Sequence, residues 1–142
     1  MKKILLLGII FPATAFLFAQ SPKSKAVLSD SAEFRFEVSE YSFNPVNEGD
    51  MVNYDFHFTN AGKTPMIITG ADASCGCTAP EYPRQPVKSG EKAVIKVTFN
   101  STGKSGYQDK TVTVTSNAKN SPYILHLKGT VVAKTDPGKK PE

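Results

Sequence analysis

Tryptophan is absent from this 142-residue chain, and cysteine occurs twice, at Cys75 and Cys77. Those two facts together exclude an antibody-type domain, which bridges two distant cysteines across a core tryptophan. No long apolar run follows residue 20, so the mature chain is expected to be soluble and to lack a membrane span. No stretch carries a helical apolar stripe, and no internal repeat or low-complexity segment stands out. Gly-rich phosphate loops, metalloprotease helices and Walker-type motifs are also missing. Charge of one sign is not concentrated either. Lys and Arg total 17 against 13 Asp and Glu, a net +4, and Lys2 and Lys3 fall in a segment expected to be removed. The remaining charges are mixed in sign along the chain, which makes the basic balance weak evidence for a nucleic-acid partner.

What is present begins with an export signal. Lys2 and Lys3 precede the apolar residues Ile4 to Phe11, the run continues past Pro12 to Phe18, and Ala19 offers a small residue for cleavage. A spanning helix needs about 20 uninterrupted apolar residues, and this run is shorter and carries Pro12. Residues 1–19 are therefore expected to be a signal peptide, and the protein to be periplasmic or secreted. No cysteine follows the run to take a lipid. Residues 20–33 are rich in Ser, Lys and Asp and read as a flexible leader. Residues 133–142 read as a flexible basic tail around Lys134, Lys139 and Lys140.

Between those ends the apolar residues alternate. Phe34, Phe36 and Val38 form one set, and a short piece, Tyr41 to Phe43, follows. Val52, Tyr54, Phe56 and Phe58 form the clearest. Met66 to Ala73 is a further strand candidate. Ala93, Ile95, Val97 and Phe99 follow, then Val112 and Val114 among threonines, then Tyr123, Leu125 and Leu127. Turn residues separate the runs at Asn47 to Asp50, Asn60 to Lys63, Ser89 to Glu91 and Asn100 to Gly106. Gly62 is expected to supply a positive φ. The segment through Pro80, Pro83 and Pro86 reads as a loop. About seven short antiparallel strands over roughly 100 residues match an immunoglobulin-like β-sandwich, spanning 34–132. Each strand has one apolar face, so two sheets must meet to hide both.

Ser74-Cys75-Gly76-Cys77-Thr78 is the one unusual constellation. In an oxidising compartment the two cysteines are expected to form a disulfide across a small ring, which Gly76 would ease by its backbone freedom. Small strained disulfides are the more easily reduced ones, which keeps a thiol-redox role open. Two thiolates would also suit a soft ion such as Cu(I). Zinc would need four ligands, and only His57 and His126 could add imidazoles. Both histidines fall on polar strand faces and read as surface residues. No catalytic residue is assigned, and the chain is not expected to be an enzyme. Asn100-Ser101-Thr102 is an N-glycosylation sequon.

Several segments carry a family resemblance. Phe56 to Gly62 resembles an F-x-F-x-N-x-G strand and turn, and Pro65 to Ile68 the P-L-x-I that follows. Ser74 to Thr78 matches S-C-G-C-T, and Ser89-Gly90-Glu91 resembles P-G-E with Ser for Pro. Val97 to Ser101 and Gly103 to Gly106 are similar to the next strand and loop. Thr113 to Asn117 resembles V-x-S-N, and Leu125 to Gly129 resembles L-x-L-x-G. In this order they resemble the bacterial domain of unknown function 1573 family, found in exported Bacteroidetes proteins. That family is itself similar to sandwiches of the major sperm protein and ASPM/SPD-2/Hydin type. The resemblance implies fold and export, and no established activity. Asp30-Ser31-Ala32 resembles a short O-glycosylation acceptor of exported Bacteroidetes proteins, which makes Ser31 a candidate. The expected role is an exported binding module for an envelope protein or polymer. The alternatives are a copper or redox protein built on Cys75 and Cys77, or a purely structural envelope component.

Overall fold

A computed structural model describes residues 30–134. The expected signal peptide, most of the expected leader and most of the expected basic tail lie outside the described residues. Nine strands form two sheets: β1 (Phe34–Phe36), β2 (Glu40–Ser42), β3 (Val46–Asn47), β4 (Met51–Asn60), β5 (Ile68–Ala73), β6 (Thr78–Glu81), β7 (Lys92–Asn100), β8 (Gly106–Ser116) and β9 (Tyr123–Val132). The first sheet has the order β1-β4-β7-β6, and the second β2-β9-β8-β5 with β3 also on β9.

Alternation does what it should. Val52, Phe56 and Phe58 of β4 turn inward and pair with inward Phe99, Ile95 and Ala93 of β7. From the other sheet Val112, Val114, Leu125, Leu127 and Val131 close the core. Phe34, Phe36, Phe58 and Tyr123 gather at one end, with ring centroids 4.6–6.0 Å apart. Tyr41 stacks on Tyr54 at 3.7 Å and bridges the two sheets.

The structure departs from the sequence expectation in several places. Two more strands are present than expected, and β2 and β3 run parallel to β9. The chain leaves the first sheet after Phe36 and enters the second beside β9 in the same direction. Val38 therefore belongs to the crossing, and is 42% exposed. β3 occupies a segment read as a turn, and β6 a segment read as loop. β5 starts at Ile68, because Met66 makes only an isolated bridge to Val87. Ala32, assigned to the leader, is fully buried in the core. Gly62 has no positive φ. It is needed for close approach instead, since a Cβ there would overlap the backbone of Ser31 and Ala32.

Candidate functional site

The Cys75–Cys77 segment is the corner where the chain passes from β5 to β6, from one sheet to the other. Ser74 prolongs the pairing of β5 with β8. Its N–H donates to the Thr111 carbonyl (2.9 Å), and its hydroxyl accepts from the Thr111 N–H (3.1 Å). Thr78 then begins β6, opposite Phe99. A tight turn lies between, closed by the Thr78 N–H on the Cys75 carbonyl at 3.2 Å. The Asn100 N–H holds the Cys77 carbonyl at 2.9 Å.

Cys75 and Cys77 are joined as a disulfide, with Cα atoms 5.2 Å apart. Gly76 projects into open space and takes no positive φ, so its expected conformational role is not the one the structure uses. Both cysteines are half-buried. Thr78 is 5% exposed, and its hydroxyl sits 3.5 Å from Sγ of Cys75 and 4.0 Å from Sγ of Cys77. A disulfide sulfur carries no proton, so the hydroxyl is the donor in both contacts.

The other candidates lie elsewhere. His57 is on the outer face of the first sheet, opposite Val94. His126 is on the outer face of the second, its Nδ1 2.9 Å from the Asp109 carboxylate. Lys128 extends that cluster, donating to Glu40 at 2.5 Å and lying 3.9 Å from Asp109. The Glu40 hydrogen bond raises the Lys128 pKa above the usual lysine value, desolvation opposes it more weakly, and the charges of Glu40 and Asp109 add to the rise. Among the described residues no group of three or more His, Cys, Asp or Glu side chains could hold a metal ion. With its sulfurs joined, the cysteine pair presents no thiolate to Cu(I).

The two modification motifs are built into the fold. Asn100 Oδ1 accepts from the N–H and hydroxyl of Thr102, and buried Ser101 donates to the carbonyls of Asn47 and Asp50. Ser31 is half-exposed, between Asp30 in an ion pair with Lys63 (3.5 Å) and buried Ala32. A 540 Å³ concavity is lined by residues including Glu48, Asp50 and Lys134, and a 290 Å³ one by Asn53, Asp55, Glu81 and Lys96. Neither contains a histidine or a cysteine.

The sheet edges are partly occupied by the chain itself. Asn120 grips β1 as a strand would, accepting from the Phe34 N–H at 3.0 Å and donating to its carbonyl at 2.9 Å. β6 carries Pro80, which has no N–H to offer. Val87 exchanges two hydrogen bonds with Met66, just ahead of β5, at 2.8 and 2.9 Å. Pro45 interrupts the β2–β3 edge. These are the devices by which sandwiches resist edge pairing. None of three side-chain roles was readable as chemistry in the sequence: those of Asn120, of Thr78, and of Asn60, whose buried amide donates to the Thr64 and Val87 carbonyls and accepts from the Gly62 N–H. Asn60 and Thr78 did stand inside the motifs, as the polar letters of F-x-F-x-N-x-G and S-C-G-C-T.

The family model for Protein of unknown function (DUF1573) matches residues 34–131. The chain belongs to the DUF1573 family. Its fold is shared by a protein of unknown function from Porphyromonas gingivalis W83, at TM-score 0.61 and 10% identity, covering 70% of this chain and 46% of that one. The chain thus spans less than half of that protein. The ASH/PapD-like domain 7 of human CEP192 matches at TM-score 0.56 and 14% identity, covering 87% of this chain and all of that domain. The YadV chaperone matches at TM-score 0.50 and 11% identity, over 75% of this chain and 55% of that one. No curated protein matches the chain. At these identities the likeness is one of fold: a PapD-like, immunoglobulin-like all-β sandwich.

Proposed function

We propose that this DUF1573 chain is exported behind residues 1–19 and acts, without catalysis of its own, as a β-sandwich that binds a protein or polymer of the cell envelope. The supporting observation is dispersal. Among the described residues, His57 and His126 lie on the outer faces of different sheets and the cysteine turn at a corner between the sheets, so these three candidates do not converge on one cleft. The interior is filled by packed apolar side chains, which leaves the surface to meet a partner. Covered edges make the outer sheet faces the better candidates than strand addition. On the second sheet, Thr111, Thr113 and Thr115 of β8 share the outer face with Ile124, while Ile67 projects just ahead of β5. Ile67 is 49% and Ile124 50% exposed. Glu40, Asp109 and Lys128 pair their charges on this face, and the threonines with the half-exposed isoleucines beside them suit a contact surface. Likeness in fold to a PapD-like domain and to a chaperone accords with this reading.

Photo-crosslinkers placed at Thr113 and, as a control, at Thr98 on the opposite sheet test it in an envelope fraction. A discrete adduct from Thr113 alone, or co-sedimentation with an envelope polymer that Ile124→Lys abolishes, is expected. No adduct and no co-sedimentation would leave a purely structural component. Cell fractionation with N-terminal sequencing checks export, the mature chain being expected to start near Gln20.

A further inference from the structure

Thr78 presents an oddity that partner binding does not use. Its hydroxyl is buried, and among the described residues its hydrogen-bond partners are two disulfide sulfurs. A disulfide sulfur is a weak acceptor, whereas a thiolate is a strong, charged one. The hydroxyl is therefore poorly matched to the bonded pair and well matched to the species that forms when the bond opens. The two sulfurs are not equivalent, because Cys75 Sγ lies nearer, at 3.5 Å against 4.0 Å. A positive charge stands at the same end of the sandwich. Lys110 directly precedes Thr111, the partner of Ser74, and its ammonium lies 5.7 Å from the centroid of the Phe99 ring, opposite Thr78. Cations and hydroxyl donors near a sulfur favour its thiolate. The turn meets open space at Gly76, where nothing lies within 4 Å of a built Cβ, and both cysteines beside it are half-buried.

We infer that Cys75–Cys77 is a thiol–disulfide exchange site that accepts two electrons from a dithiol partner, with Cys77 the sulfur attacked and Cys75 the leaving thiolate. The partner thiolate attacks Cys77 Sγ. A bond forms between the partner sulfur and Cys77, the Cys75–Cys77 bond breaks, and its electron pair stays on Cys75, where the Thr78 hydroxyl donates to it. The partner's second thiolate then attacks its own sulfur in the mixed disulfide and releases Cys77 as a thiolate. The partner leaves as a disulfide, and Cys75 and Cys77 take up the two protons lost by the dithiol. One dithiol is oxidised for each disulfide reduced, so the step is stoichiometric. It is independent of the face that binds an envelope partner.

The full chain is equilibrated in dithiothreitol redox buffers and its thiols are counted by alkylation and mass. Thr78→Val should hold its disulfide about tenfold more strongly than the wild type, the size of effect expected for a hydrogen bond to a charged group. Thr78→Ser should restore wild-type behaviour. Unchanged equilibria in Thr78→Val would overturn the role of Thr78. Mapping the mixed disulfide that glutathione forms with the wild-type chain needs no variant to fold. Glutathione on Cys77 is expected. Glutathione predominantly on Cys75, or no adduct with the disulfide intact under conditions that reduce exposed protein disulfides, would overturn the exchange assignment.

Discussion

The ring of Phe43 lies directly over Gly129, so closely that a Cβ on Gly129 would overlap it. Phe43 follows β2 at the interruption before β3, and Gly129 is the inward position of β9 between Leu127 and Val131. The missing side chain is the slot that lets Phe43 fold into the core, where its ring also meets Phe99 at 6.0 Å.

Gly129→Ala should therefore destabilise the sandwich by about 1–3 kcal/mol, the range for overpacking a filled core. Chemical denaturation of the two proteins checks it. A double variant, Gly129→Ala with Phe43→Leu, should recover part of the loss, because the smaller side chain vacates the overlap.

Asn60 is fully buried and spends both ends of its amide on backbone. Its Nδ2 donates to the carbonyls of Thr64 and Val87, each at 2.9 Å, and its Oδ1 accepts from Gly62 (3.0 Å) and Glu33 (3.3 Å). Asn60→Leu keeps the volume but orphans those groups, so a loss of about 3 kcal/mol or more is expected. Equal stability of Asn60→Leu and the wild type by thermal melting would show that the network contributes nothing.

Asn120 substitutes for a missing neighbour on β1. Asn120→Ala should cost about 1 kcal/mol and should raise hydrogen exchange at the Phe34 amide. It should also uncover an edge and promote self-association, which light scattering at rising concentration would detect. An unchanged Phe34 amide would count against the capping role.

Lys128 gains its partner on folding, and its pKa is raised above the ordinary value. Its contribution is therefore fully present below the ordinary lysine pKa of about 10.4 and is lost as pH rises through the higher folded value. Melting temperatures of the wild type and Lys128→Met should differ at neutral pH and converge in strongly alkaline buffer. The difference should be small, because this is an exposed ion pair.

Loss of the Cys75–Cys77 bond should matter little to stability. The ring it closes spans only two residues of separation, for which loop-closure entropy predicts about 1.5 kcal/mol. Cys75→Ser/Cys77→Ser should thus remain folded by circular dichroism. The same variant addresses copper. Any Cu(I) taken up by the reduced wild type at this turn should be absent from the variant and from the oxidised protein, and equal uptake by all three would remove the turn as a copper site.

Strand identity was most legible where alternation ran longest. β4, β7 and β9 set an apolar residue at every second position over most of their length, β8 does so at Val112 and Val114, and a period of two admits only one face-up arrangement. Shorter segments carried too few repeats. β3 is two residues and β6 contains Pro80, so their pairing with β9 and β7 depends on what the rest of the chain places beside them. The S-C-G-C-T segment was legible as a constellation. Which sulfur the Thr78 hydroxyl approaches was not, since that depends on how the turn seats Thr78 opposite Phe99.

By itself the order of amino acids determined that this protein would build two pleated layers with one greasy side each, because side chains on an extended backbone point alternately up and down. It also marked most of the turns. Only the folded chain decided why particular polar and small residues stand where they do. Asn60 meets Val87 across 27 residues, and Asn120 meets Phe34 across 86. Gly62 and Gly129 are small for neighbours that are themselves distant in the chain. Such roles arise from contacts that exist only after the sheets have closed, and local pattern carries no trace of a partner that far away.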